Sequence, residues 1–269
     1  MERYIEIMDT TLRDGEQTSG VAFLESEKSA IARMLLEEVK VDRIEIASAK
    51  VSEGELRSAR RILEWARKKG YSEQVEILGF VDGTVSIDWI IAAGGKVLNL
   101  LTKGSLNHVQ GQLRKTPEQH LADIKQCIQY ARKKDLTVNL YLEDWSNGMK
   151  NSRDYVFFLM DHLKDEPVKR FMLPDTLGIL NHENTFEFCQ IMVNRYPGLH
   201  FDFHAHNDYD LATGNVYAAV KAGVKGIHTT VNGLGERAGN VPLTSVIAVL
   251  KDHLGVECSV KEKMIYQLS

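Results

Sequence analysis

Short runs rich in apolar and β-branched residues alternate along the chain with longer segments whose apolar positions recur at helical spacing. The strand-like runs are YIEIM (4–8), DRIEIA (42–47), QVEILGF (74–80), KVLNLL (96–101), TVNLYLE (137–143), RFMLP (170–174), HFDFHAH (200–206) and GIHTTV (226–231). Between them SEKSAIARMLLEEV (26–39), SEGELRSARRILEWARKK (52–69), TPEQHLADIKQCIQYARKK (116–134), SRDYVFFLMDHLK (152–164), NHENTFEFCQIMVNRY (181–196) and PLTSVIAVLKDHL (242–254) read as amphipathic helices. Shorter ones are expected near 84–93 and 209–222. Helix starts are marked: Ser52 with Glu55 spells a capping box, and Thr116 precedes Pro117 at the first helical position. Eight strand–helix units predict an α/β fold, a single-domain (β/α)8 barrel spanning 1–254. An open doubly wound sheet is the competitor, but the turn after the first strand, "DTTLRDGEQTSG", lacks the GxGxxG spacing that such a sheet uses. In the barrel, functional groups belong at the C-terminal ends of the strands.

Strand parity then sorts residues by face. In "FDFHAHNDYD" (201–210) and the residue before it, His200, Asp202, His204 and His206 share one face, and Phe201, Phe203 and Ala205 share the other. The phenylalanines suit the helix side, so the polar set points into the barrel. Unpartnered, it would cost several kcal/mol there. A divalent cation near the mouth would satisfy His204 and His206 together; a hydrogen-bonded core pair is the plainer alternative. Other strand ends bring more chemistry to the same rim. Arg13, Asp14, Glu16 and Gln17 follow strand one; Asn139, Tyr141 and Glu143 share a face of strand five. Asp175 and Thr176 end strand six, and "NGLGERAGN", ending in Asn240, follows strand eight. Taken singly, each has an ordinary explanation as a turn former, cap or solvated charge. Two imidazoles and one carboxylate leave positions open on a cation, as catalysis requires. A 2-oxo acid fits such positions through its carbonyl and carboxylate oxygens, with Arg13 placed to stabilise charge on the carbonyl oxygen.

Composition narrows the class. The chain has 269 residues, 43% of them hydrophobic, and a net charge of -4, so no basic surface advertises a nucleic-acid partner. No apolar run approaches membrane-spanning length, the start "MERYIEIMDT" is unlike a signal peptide, and the three cysteines, Cys127, Cys189 and Cys258, are far apart. A cytoplasmic protein with reduced thiols is expected. His108, His120, His162, His182 and His253 are read as surface or helix residues.

The motifs "DTTLRDGEQTSG", "HAHNDYDLATGN" and "NGLGERAGNVPL" resemble the signatures of the acyl-CoA-dependent 2-oxo acid condensing enzymes, a family that includes the 2-isopropylmalate, homocitrate and citramalate synthases. Within it, "EILGFVDG", "KVLNLLTKGS", "YLEDWSNG" and "LPDTLG" are most similar to the catalytic domain of the citramalate synthases. The resemblance implies a metal-dependent barrel with Asp14, His204 and His206 as ligands and Asn240 in a neighbouring ligand position. It places Arg13 on the oxo acid, Thr176 on its carboxylate, Glu143 in acid/base work and Tyr141 beside the substrate. The implied reaction is a Claisen-type condensation: acetyl-CoA loses an α-proton, the enolate attacks the ketone, and the thioester is hydrolysed. Zn²⁺ is the expected ion, with Mg²⁺ and Mn²⁺ as alternatives. Leu78 and Leu101 fall on the side-chain pocket, where two bulky apolar groups suit the methyl of pyruvate over an isopropyl group or a distal carboxylate.

The resemblance further implies a homodimer, and it makes 255–269 the start of a linker that in relatives leads to a regulatory domain. Relatives borrow a catalytic histidine from that extension of a partner subunit, and no histidine here matches it. A catalytic-domain fragment, or a naturally short form, that binds metal and oxo acid but turns over weakly, without feedback regulation, is therefore expected. Three rivals stand beside the citramalate reading: a 2-isopropylmalate synthase, a metal-dependent lyase or aldolase, and a metabolite-binding barrel without catalysis. The 3-hydroxy-3-methylglutaryl-CoA lyases carry a cysteine in the last glycine-rich loop; "GLGERAGN" has none.

Overall fold

The computed structural model describes residues 4–268. Eight parallel strands follow one another around a closed barrel: β1 (Glu6–Asp9), β2 (Arg43–Ser48), β3 (Val75–Phe80), β4 (Val97–Lys103), β5 (Thr137–Glu143), β6 (Val168–Asp175), β7 (Phe201–Ala205) and β8 (Gly226–Thr229). Closure is made by β1 against β8, with Glu6 opposite Gly226 and Asp9 opposite Thr229. Each expected strand is present. β8 stops at Thr229 because Thr230 turns away from the ladder, its N–H donating to the Val241 carbonyl at 3.2 Å.

The outer ring consists of α1 (Glu25–Arg33, continued by a wider turn over Met34–Val39), α2 (Glu53–Lys69), α3 (Val85–Ala93), α4 (Pro117–Lys133), α5 (Trp145–Asn151), α6 (Arg153–Leu163), α7 (His182–Arg195), α8 (Ala212–Ala222) and α9 (Leu243–Ala248). Helix α5 is an addition to the expected set; "WSNGMKN" reads as a loop, yet Trp145 and Met149 are buried and hold it against the barrel. The Ser52 cap forms only half of its box. Its Oγ accepts the Glu55 N–H at 3.1 Å, while the Glu55 carboxylate turns to Lys28 instead of back to the cap. Thr116 makes the full box with Gln119.

Apolar burial lies mainly between sheet and helices. Ile44, Ile46, Leu98, Leu100, Val138, Leu140, Phe201 and Phe203 point outward into this core, each burial contributing about 1.5–3 kcal/mol. Inside the barrel Met8, Leu78, Tyr141 and Met172, with Leu101 against them, form a small apolar cluster. The remaining interior is polar and charged: Arg43, Glu45, Glu76, Asn99, Asn139, Asp202 and His228 are all buried there. Residues 257–268 pack on the outside of the barrel, where Glu257 bridges Tyr4 and Ile265 is buried. No helix among the described residues is long and apolar enough to cross a membrane.

Candidate active site

The β1 strand ends in a tight turn in which the Thr10 carbonyl accepts from the backbone N–H groups of Arg13, Asp14 and Gly15 at 3.1, 2.8 and 3.1 Å. This turn swings Arg13 and Asp14 over the barrel mouth. Glu45 anchors it from below: its carboxylate accepts from Thr10 Oγ1 at 2.8 Å, Arg13 Nε at 2.6 Å and Asn99 Nδ2 at 2.8 Å. Burial would push the Glu45 pKa up, but the Arg13 charge and these bonds hold it down, so it stays ionised. Arg13 also donates to Asp14 Oδ2 at 3.0 Å and to the Tyr141 hydroxyl at 3.3 Å. These bonds use three of its five N–H hydrogens and lock the guanidinium with the other two free.

Asp14, His204 and His206 converge, with one ligand atom of each lying within 4.8 Å of the others. The two Nε2 atoms are 3.3 Å apart, and Asp14 Oδ2 lies 3.3 Å from His204 Nε2 and 3.8 Å from His206 Nε2. Edges of that length suit three donors each about 2.1 Å from a shared centre, the bond length of imidazole nitrogen or carboxylate oxygen on Zn²⁺. Protonation fits as well. Burial lowers the His204 pKa against the pull of Asp14; burial and the His204 charge bring His206 down to about 4. Burial opposes ionisation of Asp14, but Arg13 and the imidazoles hold its carboxyl well below the usual range. The set at neutral pH is therefore two neutral imidazoles and a carboxylate, the forms that bind a cation. Neither Nδ1 has a hydrogen-bond partner among the described residues, so no protein group fixes the ring tautomers. A cation on the Nε2 side would fix them. Asn240 forms a bridge to His206, donates through Nδ2 to the Leu234 carbonyl at 3.2 Å, and keeps a buried Oδ1 without a partner.

Around this centre lies a cavity of about 190 Å³, lined among others by Arg13, Asp14, Leu78, Leu101, Tyr141, Glu143, Thr176, His204 and His206. Of the residues to which the resemblance gives a role, all but Asn240 border it; Glu16, Asn139 and Asp175, also expected at this rim, do not. Glu143 pairs with Lys103 at the rim. Thr176 Oγ1 accepts the Asp144 N–H at 2.8 Å, which leaves its hydroxyl hydrogen free for the cavity. Arg237 ties three loops together, bonding the Thr176 carbonyl at 2.7 Å and both oxygens of Asp208.

The expectations missed part of the surroundings. Ser48, Phe80 and Pro174 line the cavity as well, and Glu45 and His228 lie buried beneath it; Gln17 and Glu236, from loops the sequence had brought to the rim, and Asp202, from the inward face of β7, stand beside them. Parity in "DRIEIA" would have found Glu45, since charged residues alternate there with outward isoleucines. His120 does lie on a helix, but it is fully buried, and its Nε2 accepts the Lys103 N–H at 3.1 Å.

Comparison with known proteins agrees with this architecture. The family model described as HMGL-like matches residues 4–269. A putative (R)-citramalate synthase from Methanopyrus kandleri is 36% identical over 266 residues, covering 98% of this chain and 50% of that protein. A 2-isopropylmalate synthase from Sulfurisphaera tokodaii is 34% identical (98% and 67%), and a homocitrate synthase from the same organism is 36% identical (98% and 56%). The chain thus spans about half to two thirds of the length of these relatives. Among solved structures, an HMG-CoA lyase from Bacillus subtilis superposes with a TM-score of 0.83 at 20% identity, covering 98% of this chain and 91% of that one, which supports the shared barrel fold. Named synthases align over 98% of its length, and the chain belongs to the HMGL-like family.

Proposed function

We propose that this barrel serves an acyl-CoA-dependent synthase that condenses acetyl-CoA with a 2-oxo acid, and that pyruvate is the acceptor, giving citramalate. The observation that carries the reading is one cavity with two unlike walls. Arg13, Thr176 and the Asp14–His204–His206 cluster form the polar side; Leu78 and Leu101 form the apolar side. A short 2-oxo acid with an alkyl tail matches both. Asp14, His204 and His206, with Asn240 Oδ1 adjacent, would hold a divalent cation, and an imidazole-rich set favours Zn²⁺ over Mg²⁺ or Mn²⁺. When bound, that ion supplies Lewis-acid polarisation of the oxo acid's carbonyl.

The chain's own residues account for the other demands. The two free Arg13 N–H groups can bind the negative charge that develops on the carbonyl oxygen. Thr176 donates its hydroxyl hydrogen to the substrate carboxylate. Glu143 stands at the rim as the carboxylate that moves a proton, either the α-proton of acetyl-CoA or that of the hydrolytic water. The products are the 2-hydroxy diacid and free CoA.

The panel that tests this pairs acetyl-CoA with pyruvate, 2-oxobutanoate, 2-oxoisovalerate and 2-oxoglutarate and follows thiol release. Pyruvate should release CoA fastest, with 2-oxobutanoate next. A preference for 2-oxoisovalerate would make the enzyme a 2-isopropylmalate synthase, a relative that the similarities support nearly as well. Cleavage of a hydroxyacyl-CoA would make it a lyase, and binding without either reaction a metabolite-binding barrel.

A further inference from the structure

A chain of hydrogen bonds beneath the cavity fixes the direction of one proton. Asp202, on β7, accepts from Arg43 Nη2 at 2.7 Å on Oδ2 and lies 2.9 Å from His200 Nε2 through Oδ1. A carboxylate against a buried guanidinium is ionised and only accepts. His228 Nε2, 3.0 Å from Asp202 Oδ2, must therefore carry a hydrogen and donate it. The His228 ring is buried, and the Asp202 charge is already met by the Arg43 guanidinium 2.7 Å away, so the ring between them is neutral. A neutral ring with hydrogen on Nε2 has a bare lone pair on Nδ1, and the Tyr141 hydroxyl lies 3.1 Å from it. The phenol hydrogen is thus committed to His228, while the phenol oxygen already accepts from Arg13. The backbone makes room for this arrangement: a Cβ at Gly226 would sit 2.0 Å from Asp202 Oδ1, so only glycine allows the carboxylate its position.

The geometry points to His228 as a specificity-determining positioning residue, which holds the Tyr141 hydrogen out of the cavity and leaves the phenol oxygen a pure acceptor toward the substrate. This rests on the 2-oxo acid reading above and deepens it. Acceptor atoms are repelled from Tyr141 and directed to Arg13 and Thr176. What lies against the phenol is then an alkyl group or a hydrogen-bond donor. The site so discriminates by polarity as well as by the size of Leu78 and Leu101.

Pyruvate, oxamate and oxalate test this, because they are nearly isosteric and place a methyl, a donor NH2 and an acceptor oxygen at one position. Binding to the protein saturated with Zn²⁺ is measured by calorimetry. The expected preference of oxamate relative to oxalate falls by about tenfold in His228→Leu, a loss matching one hydrogen bond. His228→Asn, whose amide oxygen can take the phenol hydrogen, should keep the ratio. Tyr141→Phe supplies a second arm should His228→Leu not fold: it removes the acceptor while keeping the ring, and the preference should vanish. An unchanged ratio in either folded variant overturns the role of His228. Failure of the native protein to bind any of the three would overturn the 2-oxo acid reading itself, a result distinct from binding with an unaltered ratio.

Discussion

The two ends of the barrel interior are both buried and polar, yet they are built on opposite principles. At the floor, charges meet opposite charges. Arg43 lies 3.2 Å from Glu6, 3.2 Å from Glu76 and 2.7 Å from Asp202, and Arg170 contacts Glu6 at 2.7 Å. At the mouth, Asp14 and two neutral imidazoles turn electron-rich atoms toward one another, and three buried polar atoms nearby (His204 Nδ1, His206 Nδ1 and Asn240 Oδ1) have no hydrogen-bond partner among the described residues. Gathering electron-rich atoms without a positive centre between them costs free energy, whereas opposite charges at the floor offset one another, so the mouth sacrifices stability that the floor retains. The difference teaches where the protein expects its partner to come from. The floor's charges are compensated from within, although Arg43 Nε and Asn139 Oδ1 lack a hydrogen-bond partner among the described residues; the mouth gathers donors that, on the proposed reading, a cation and a substrate would complete.

The largest effect expected from breaking this contrast is at the mouth. His204→Ala should abolish cation binding and lower oxo-acid-dependent CoA release by a factor on the order of a thousand or more, the equivalent of several kcal/mol of lost charge stabilisation. Its Tm without cation should match or exceed that of the native protein. Metal analysis by mass spectrometry, activity and calorimetry check this together; full cation content in the variant would refute the assignment.

The floor should respond in the reverse sense. Arg43→Met leaves Asp202 and Glu76 as uncompensated buried charges, at a cost of about 3–5 kcal/mol, read as a fall in Tm on the order of ten degrees. A near-native Tm would show that the floor is not the stabilising end.

Between them lies the apolar wall. Leu101→Ala should raise the efficiency with 2-oxoisovalerate relative to pyruvate by about ten- to a hundredfold, since each methylene's worth of space changes discrimination by about 1–3 kcal/mol. Competition between the two acids measures the ratio.

An effect confined to acid conditions, and absent at neutral pH, concerns stability. His120, buried behind the Lys103 backbone with Lys115, Lys103 and Asp123 around it, has its pKa lowered from 6.5 to about 4, chiefly by burial. Its folded pKa lies below the unfolded one, so the unfolded chain binds more protons between these values. The stability it contributes is full above pH 6.5 and is lost as pH falls toward 4. His120→Asn should flatten that part of the stability–pH curve by up to about 2–3 kcal/mol in urea titrations. A slope equal to the native one would remove His120 from the account.

Much of this was legible before the fold was seen. β5 runs over Thr137–Glu143 as its alternation predicts, and the parity of "HFDFHAH" put both phenylalanines in the outer core and both imidazoles inside. The same parity in β2 and β3 points Arg43, Glu45 and Glu76 inward, but it supplies no partner for them until barrel closure sets Arg43 against Asp202 and Glu45 against Arg13. His228 was equally silent. Its meaning depends on Asp202 and Tyr141, which lie 26 and 87 residues away in the chain.

The sequence by itself determined the eightfold alternation, the face on which each side chain falls, and the chemical type of group delivered to the strand ends. These are local properties, set by the two-residue period of a strand and the turn chemistry between elements. Only the tertiary structure decided that Asp14 meets His204, that Glu45 fixes Arg13, and that Asp202 points the Tyr141 hydrogen away from the cavity. Those outcomes require closing the barrel, because distances between atoms far apart in sequence are set by strand register and curvature, to which no local pattern is sensitive.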